Sequence, residues 1–269
     1  MAPGELRPGP VLAVSGMQFE SRIVAAAGVE TLYGYRDRAL AAVLAQRLAA
    51  ASYAGVISIG VAGGLDPRLP PGTVIVATDV HAAGSGHDAP LLPCDPRWHA
   101  ALMCLLPTAT AGRIAGSDAA VTAVADKSAL HRARGALSVD MESHLAARAA
   151  RDHGVPFAAL RVVVDPADRP VPPLAVAGMA ADGSTDIGAI LAGLLKAPWQ
   201  LGSLLRLGRD AAQAKAALVQ ARRLAGATFG AACLGADAGA TAGAASAAVA
   251  DGLAPAGTAP SPDRPRGAA

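Results

Sequence analysis

The stretch "SVDMESHLAARAARDHGVPFAALRVVVD", residues 138–165, decides the fold of this chain. A short strand over residues 136–140 is predicted to lead into a helix over residues 142–153. Residues 156–165 then form an apolar run rich in β-branched side chains, which is typical of a buried strand. A strand, a helix and a strand in this order are the repeating unit of an α/β sheet that helices cover on both faces.

The same alternation extends through most of the chain. Residues 186–225 are helical and unusually apolar by the same reading, and Pro198 is expected to separate two helices there. The other predicted strands cover residues 10–15, 53–60, 72–80 and 112–118 (the last with a loop), and the other predicted helices cover 38–50, 95–106 and 124–134.

Composition suits one domain with extensions at both ends. The chain has 269 residues, of which 52% are hydrophobic, and this is enough for one sizeable core. We predict an N-terminal extension over residues 1–9 and a single α/β domain over residues 10–225. Residues 226–269 are rich in Ala, Gly and Pro, a composition typical of a disordered tail.

Charge and residue usage exclude several classes of protein. The formal net charge is +2 and aromatic residues are only 3%, which argues against a nucleic-acid partner. The three cysteines stand far apart, so no metal site or disulfide is expected, and a reducing cytoplasm is the simpler location. No signal peptide or membrane span is predicted. We interpret His81, His87 and Asp88 as part of a polar loop rather than as a metal site.

A glycine-rich segment, "GVAGGL" at residues 60–65, follows the strand predicted over residues 53–60. We expect the strand to end at Gly60 and the backbone to turn through Gly63 and Gly64, where a ligand could approach backbone N–H groups closely. The spacing matches neither a dinucleotide fingerprint nor a P-loop. A tight turn between two strands explains these glycines equally well.

Four motifs in one order carry a resemblance to a known family. They are "AVSGMQFESRI" (13–23), "IGVAGGLDPRLPPGTVIVATDV" (59–80), "AGSDAAV" (115–121) and the region 136–168. Together they resemble the nucleoside phosphorylase and methylthioadenosine nucleosidase superfamily. The apolar C-terminal helices look most like its hopanoid-associated phosphorylases.

The resemblance implies both a fold and an activity. The fold would be three-layered, with a central mixed β-sheet flanked by helices. The activity would be cleavage of the N-glycosidic bond of a purine nucleoside, here adenosylhopane, with release of adenine in hopanoid biosynthesis. The enzyme would need no cofactor, although inorganic phosphate could serve as co-substrate, and it would form a dimer or larger homo-oligomer.

Two acidic residues are the candidate catalytic groups. Asp165 ends an apolar strand, where partial removal from water raises the pKa of a carboxyl and lets it carry a proton near neutral pH. By resemblance it donates that proton to the five-membered ring of the purine. Glu20, by resemblance, positions the attacking nucleophile. The alternatives are an ordinary strand-end aspartate and a surface helix glutamate.

The junction at residues 140–142 supplies the candidate sugar contacts. A carboxylate such as Glu142 can accept hydrogen bonds from two neighbouring hydroxyls, which suits a ribose diol. An acidic residue in the first turn of a helix is the alternative explanation. By resemblance, Met141 packs against the sugar and Asp118 contacts the purine edge, whereas Asp140 is expected to cap the helix.

A phosphate site is not visible in the sequence, so water and phosphate both stay open as nucleophiles. Val61 stands where the nucleosidases carry Ser, and Ser58 and Val61 stand where uridine-type phosphorylases place Arg and Thr. Cationic residues that could rebuild a phosphate site are Arg22, Arg36 and Arg38, but a solvated helix face explains them equally well.

The apolar stretch 189–212 also allows two interpretations. It could form a core or dimer-interface helix, or a surface that accepts a large hydrocarbon or contacts a membrane peripherally. Two other functions stay open besides adenosylhopane cleavage. One is a methylthioadenosine or adenosylhomocysteine nucleosidase, or a purine nucleoside phosphorylase, that acts on a small substrate. The other is a non-catalytic nucleoside-binding protein.

Overall fold

The computed structural model of the chain describes residues 9–35, 37–82, 90–178 and 186–235. Within these residues, eight strands belong to one mixed β-sheet. They are Val11–Val14 (β1), Val29–Leu32 (β2), Gly55–Gly64 (β3), Val74–His81 (β4), Leu91–Pro93 (β5), Thr110–Gly116 (β6), Ser138–Asp140 (β7) and Phe157–Asp165 (β8). The sequence predicted most of them, but not the short edge strands β2 and β5.

Five strands of the sheet close into a ring. β3 pairs in parallel with β8, and β8 pairs antiparallel with β4. β4 and β6 are parallel, as are β6 and β7, and β7 returns antiparallel to β3. β1 and β2 extend the sheet in parallel beyond β3, and β5 pairs with β4. The predicted central mixed sheet is therefore confirmed.

Helices cover both faces of this sheet, which confirms the predicted three layers. Leu44 of one helix and Leu145 of another belong to the apolar core on one face. Trp98 and Leu218 belong to the core on the other face. The described helices are Gln18–Val24 (α1), Asp37–Ala50 (α2), Pro96–Leu105 (α3), Val124–Arg134 (α4), Ser143–Asp152 (α5), Pro173–Ala177 (α6), Ile187–Lys196 (α7) and Leu201–Leu224 (α8).

Local sequence signals fix several helix ends. The side chain of Asp95 accepts hydrogen bonds from the backbone N–H groups of Arg97 and Trp98, as an N-cap residue does. A 3₁₀ turn over Pro198–Gln200 separates α7 from α8. The predicted break at Pro198 is confirmed, because proline cannot donate the backbone hydrogen bond that a continuous helix would need.

The glycine-rich segment is a strand, so the prediction of a turn over residues 60–65 is wrong. β3 continues to Gly64, and its register with β8 shifts between Ala62 and Gly63. A bulge of this kind bends a strand without ending it. The bend lets the end of β3 pair with β8 on one side and with β7 on the other.

The described helical structure extends past the predicted start of the tail. Phe229 is fully buried, and its carbonyl oxygen accepts a 2.7 Å hydrogen bond from Trp98 Nε1. A short 3₁₀ helix over Ala231–Gly235 follows. The boundary predicted at residue 226 therefore lies too early. The remainder of the predicted tail, and residues 1–8 of the predicted extension, lie outside the described residues.

Candidate functional site

One cavity of about 500 Å³ brings most of the predicted site residues together. It lies where β3, β7 and β8 end and α1 begins. The predicted residues that line it are Glu20, Gly63, Met141, Glu142 and Asp165. The four motifs are far apart in sequence, so this clustering depends on the fold and not on local spacing.

Glycines pack directly against the carboxyl groups of this cavity. A Cβ atom built on Gly16 would lie 2.7 Å from Glu142 Oε1, which is closer than real atoms approach. A Cβ atom on Gly63 would lie 3.3 Å from Asp165 Oδ2, a tight contact. Neither glycine adopts the left-handed conformation. Their function is to leave room for the carboxyl groups, not to make a turn.

Gly60 provides the sharpest test of this packing. A Cβ atom there would overlap the carboxyl group of Glu20 and lie 2.9 Å from Arg161 Nη1. We expect Gly60→Ala to lower the free energy of unfolding by about 1–3 kcal/mol, as overpacking of a dense interior does. Gly202→Ala is the matched control, because Gly202 lies in α8 with no atom near its Cβ position. Urea unfolding that shows the same stability for both variants would contradict this interpretation.

Glu20 lies in the first turn of α1, where it is buried and not on the surface as the alternative explanation required. Its Oε1 accepts a 2.6 Å hydrogen bond from the backbone N–H of Val61, and its Oε2 a 2.8 Å bond from that of Met17. Burial raises the pKa of Glu20, although Arg161 and these N–H groups partly offset the increase. A carboxylate with a raised pKa is suited to accept a proton near neutral pH.

Asp165 is the last residue of β8 and has an unexpected partner. Lys127 of α4 is fully buried, and its Nζ lies 2.5 Å from Asp165 Oδ2. Burial raises the pKa of Asp165 even though Lys127 lowers it. The lysine engages one carboxyl oxygen, so the other can carry a proton. Lys127 also donates hydrogen bonds to the carbonyl oxygens of Pro166 and Arg169, which fixes its position.

Asp140 has two roles, of which the sequence revealed one. Its Oδ1 accepts hydrogen bonds from the backbone N–H groups of Glu142 and Ser143, which places it as the predicted cap of α5. Its Oδ2 accepts a 2.8 Å hydrogen bond from Arg161 Nε. Burial alone would raise the pKa of Asp140, but Arg161 and the hydrogen bonds hold it below the ordinary value.

Arg161 is a central residue of the site that the sequence reading missed. It is fully buried in β8, donates a 2.6 Å hydrogen bond from Nη2 to Ser58 Oγ, and lies 3.7 Å from Glu142 Oε2. Its Nη1 has no hydrogen-bond partner among the described residues. A lone arginine inside an apolar strand needs buried acidic partners. Its position in the sequence could therefore have identified Arg161 as a residue of the site.

Two predicted residues lie apart from the cavity. The side chain of Asp118 is 73% exposed, and its Oδ1 lies 3.1 Å from His144 Nε2. Burial lowers the pKa of His144, which favours the neutral ring. Gly64 packs against Val163 instead of the cavity. A purine contact by Asp118 therefore stays a prediction without a direct contact to support it.

Apart from its carboxyl groups and Thr122, the described wall of the cavity is apolar and carries no positive charge. No described residue that lines it is Lys, Arg or His. Phe19 is the one aromatic side chain among these lining residues. Apolar lining residues from the C-terminal helices and the segment before them are Val171, Ala175, Val176, Ile190, Leu204, Leu207 and Ala211.

The other candidate ionic groups do not assemble into a second site within the described residues. Arg22 and Arg38 are exposed, and Arg36 lies outside the described residues. His81 is buried at the end of β4 beside Arg134, whereas His87 and Asp88 also lie outside. In the part of the chain that the structure describes, no group of three His, Cys, Asp or Glu residues could hold a metal ion.

A mixed sheet between two helical layers, with acidic side chains gathered around one cavity, defines a nucleoside-phosphorylase-like α/β protein. A family model described as the phosphorylase superfamily matches residues 6–196, which is most of the chain. The chain belongs to the phosphorylase superfamily. The prediction of an enzyme of the nucleoside phosphorylase and nucleosidase class is thereby confirmed at the level of the family.

Solved structures show the same fold at low sequence identity. A Helicobacter pylori 5′-methylthioadenosine/S-adenosyl homocysteine nucleosidase is 20% identical, with a TM-score of 0.54 over 70% of this chain and 97% of that one. A putative Borrelia burgdorferi nucleosidase of this kind, bound to adenine, is 16% identical, with a TM-score of 0.55 over 80% of this chain and 99% of that one. No curated protein matches the sequence.

Proposed function

We propose that the protein cleaves the N-glycosidic bond of a purine nucleoside with an apolar 5′ substituent, and that adenosylhopane is this substrate. One observation carries the proposal. Asp165 and Glu20, both with raised pKa values, share a cavity with Glu142, and an apolar part of its wall continues along α7 and α8. Acidic groups of this kind suit nucleoside cleavage, and the apolar wall suits a hydrocarbon substituent.

Asp165 is the proposed general acid. Its raised pKa lets it carry a proton near neutral pH and transfer that proton to the five-membered ring of the departing purine. Transfer leaves a carboxylate 2.5 Å from the Lys127 ammonium group. Lys127 therefore stabilises the state that follows proton transfer more than the state that precedes it, which is what catalysis requires.

Glu142 and Met141 are the proposed ribose contacts, and Glu20 is the proposed base. As the bond from the anomeric carbon to the purine nitrogen breaks, the sugar takes on oxocarbenium character. A water molecule then forms the new carbon–oxygen bond and gives its proton to Glu20. The products are the free purine and a sugar with a hydroxyl at the anomeric carbon, so protons and electrons balance.

The charges of the site favour water over phosphate as the nucleophile. The carboxyl groups of Glu20, Asp140 and Glu142 surround one guanidinium group, that of Arg161. No described lining residue is cationic. Neutral water enters such a site without the repulsion and desolvation that a phosphate dianion would meet.

The test is a release assay with the full-length protein. Adenosylhopane in detergent and methylthioadenosine would each be supplied with and without inorganic phosphate, and free adenine would be measured. We expect kcat/KM for adenosylhopane to be higher by about tenfold or more, because each buried methylene contributes about 0.8 kcal/mol. We expect phosphate to leave the rate unchanged and no sugar phosphate to form.

Other outcomes would support the alternatives. A preference for methylthioadenosine would favour the small-substrate nucleosidase, the activity for which the similar solved proteins are named. Phosphate-dependent release with a sugar phosphate as product would favour phosphorolysis. Binding of both nucleosides without any release of adenine would favour a nucleoside-binding protein.

A further inference from the structure

The C-terminal helices expose large apolar side chains to solvent. Leu195 at the end of α7 is 88% exposed, and Trp199 in the following turn is 76% exposed. Leu191 lies one helical turn before Leu195, and Leu201 and Leu205 have the same spacing in α8. We call these five side chains the outer apolar surface: Leu191, Leu195, Trp199, Leu201 and Leu205, each exposed by 47% or more.

Positive charges flank the outer apolar surface. Lys196, Arg206 and Arg209 are all exposed. Residues 187–209 contain no Asp or Glu. Asp186 and Asp210 lie just outside this range, and Asp210 pairs with Arg169. An exposed apolar stripe flanked by several cations is the pattern of a segment that lies in the interface of an anionic membrane.

The same helices also contribute to the wall of the candidate site. Ile190 of α7 and Leu204 and Leu207 of α8 line the cavity. They stand next in sequence to Leu191, Leu205 and Arg206, so one side of the helical pair faces the cavity while its exposed residues face solvent. A surface bound by these helices would lie beside the apolar wall of the cavity.

We propose that the outer apolar surface docks the protein on anionic lipid bilayers. No helix in the described part of the chain is long and apolar enough to cross a bilayer, so the contact is peripheral. A second copy of the chain fits this surface less well, because a two-fold contact would bring the flanking cations of one copy close to those of the other. The idea that docking delivers a lipid-like substrate to the cavity rests on the proposed function. The docking itself does not depend on it.

The first experiment measures flotation of the full-length protein with vesicles of equal parts phosphatidylcholine and phosphatidylglycerol, without substrate. We expect the protein to float with these vesicles, and less with phosphatidylcholine alone. Leu195→Ser/Trp199→Ser should lower the vesicle partition coefficient by about tenfold or more, because binding scales with buried apolar area. Leu91→Ser/Leu224→Ser is the matched control, since both side chains are exposed elsewhere.

The second experiment measures how much the positive charges beside the outer apolar surface contribute to vesicle binding. Arg206→Gln/Arg209→Gln should weaken binding to the mixed vesicles by about 30-fold, since each cation near an anionic surface contributes about 1 kcal/mol. Arg38→Gln/Arg132→Gln removes the same charge from exposed positions elsewhere and should leave binding close to that of the unaltered protein.

Three results would overturn the proposal. The first is recovery of the unaltered protein in the lipid-free fraction. The second is equal flotation of the Leu195→Ser/Trp199→Ser variant and its control. The third is sedimentation showing that this variant turns a dimer into a monomer while flotation is unchanged, which would assign the surface to a second copy. Adenine release from adenosylhopane in detergent, without vesicles, tests the proposed function separately.

Discussion

Asp165→Asn is expected to lower kcat for purine release by a factor of about 10²–10⁴, the contribution typical of a general acid. The amide of Asn has nearly the same shape as the carboxyl group, and its oxygen can still accept the hydrogen bond from Lys127. It cannot transfer a proton to the leaving purine. The loss should therefore appear in kcat, with little change in thermal stability or nucleoside binding.

The pH profile gives this variant a second, independent readout. Asp165 acts while protonated, so the rate of the unaltered protein should fall as pH rises through its raised pKa. Glu20 acts while ionised, so the rate should also fall as pH drops through the raised pKa of Glu20. We expect the Asn variant to lose the alkaline limb and keep the acidic one.

Asp168→Asn is the matched control, because Asp168 lies three residues further along the chain and its side chain is 74% exposed. It should retain close to full activity and both limbs of the profile. Full activity of Asp165→Asn would refute the assignment of the acid. A variant that fails to bind nucleoside would point instead to a binding role for Asp165.

The sequence predicted the fold well where local patterns decide the structure. The apolar run that ends at Asp165, the cap at Asp95 and the break at Pro198 all appear as expected. The glycine-rich segment shows where local patterns fail. Gly60 is required by the carboxyl group of Glu20, which is 40 residues away in sequence, and a local reading of glycines can only suggest a turn.

The sequence predicted the acidic residues of the candidate site but not their cationic partners. Lys127 lies in a helix with several other charged residues, and nothing in that pattern separates it from a solvated face. Its partner, Asp165, is 38 residues away. Pairings over such distances are created by the sheet topology, which brings α4 against the end of β8. The family motifs are enough to predict the carboxyl groups. The positive charges that pair with them can be identified only in the folded structure.

Arg161→Met is expected to lower the free energy of unfolding by about 3–5 kcal/mol, the cost of removing one partner from a buried ion pair. Met fills much of the volume of Arg, so the loss is mainly electrostatic. It leaves Asp140 buried without the charge 2.8 Å away that holds its pKa down. It also removes the positive charge nearest to Glu142 and a hydrogen bond to Ser58.

Urea unfolding at several pH values tests this prediction. The pKa of Asp140 is lowered in the folded protein, so its contribution to stability is complete above about pH 4 and is lost as pH falls through the lowered pKa. The difference in the free energy of unfolding between Arg161→Met and the unaltered protein should therefore become smaller at acidic pH. Arg151→Met, which breaks the exposed pair with Asp152, should cost only about 0–1 kcal/mol at any pH. Equal losses in the two variants would show that Arg161 is not the charge on which the acidic cluster depends.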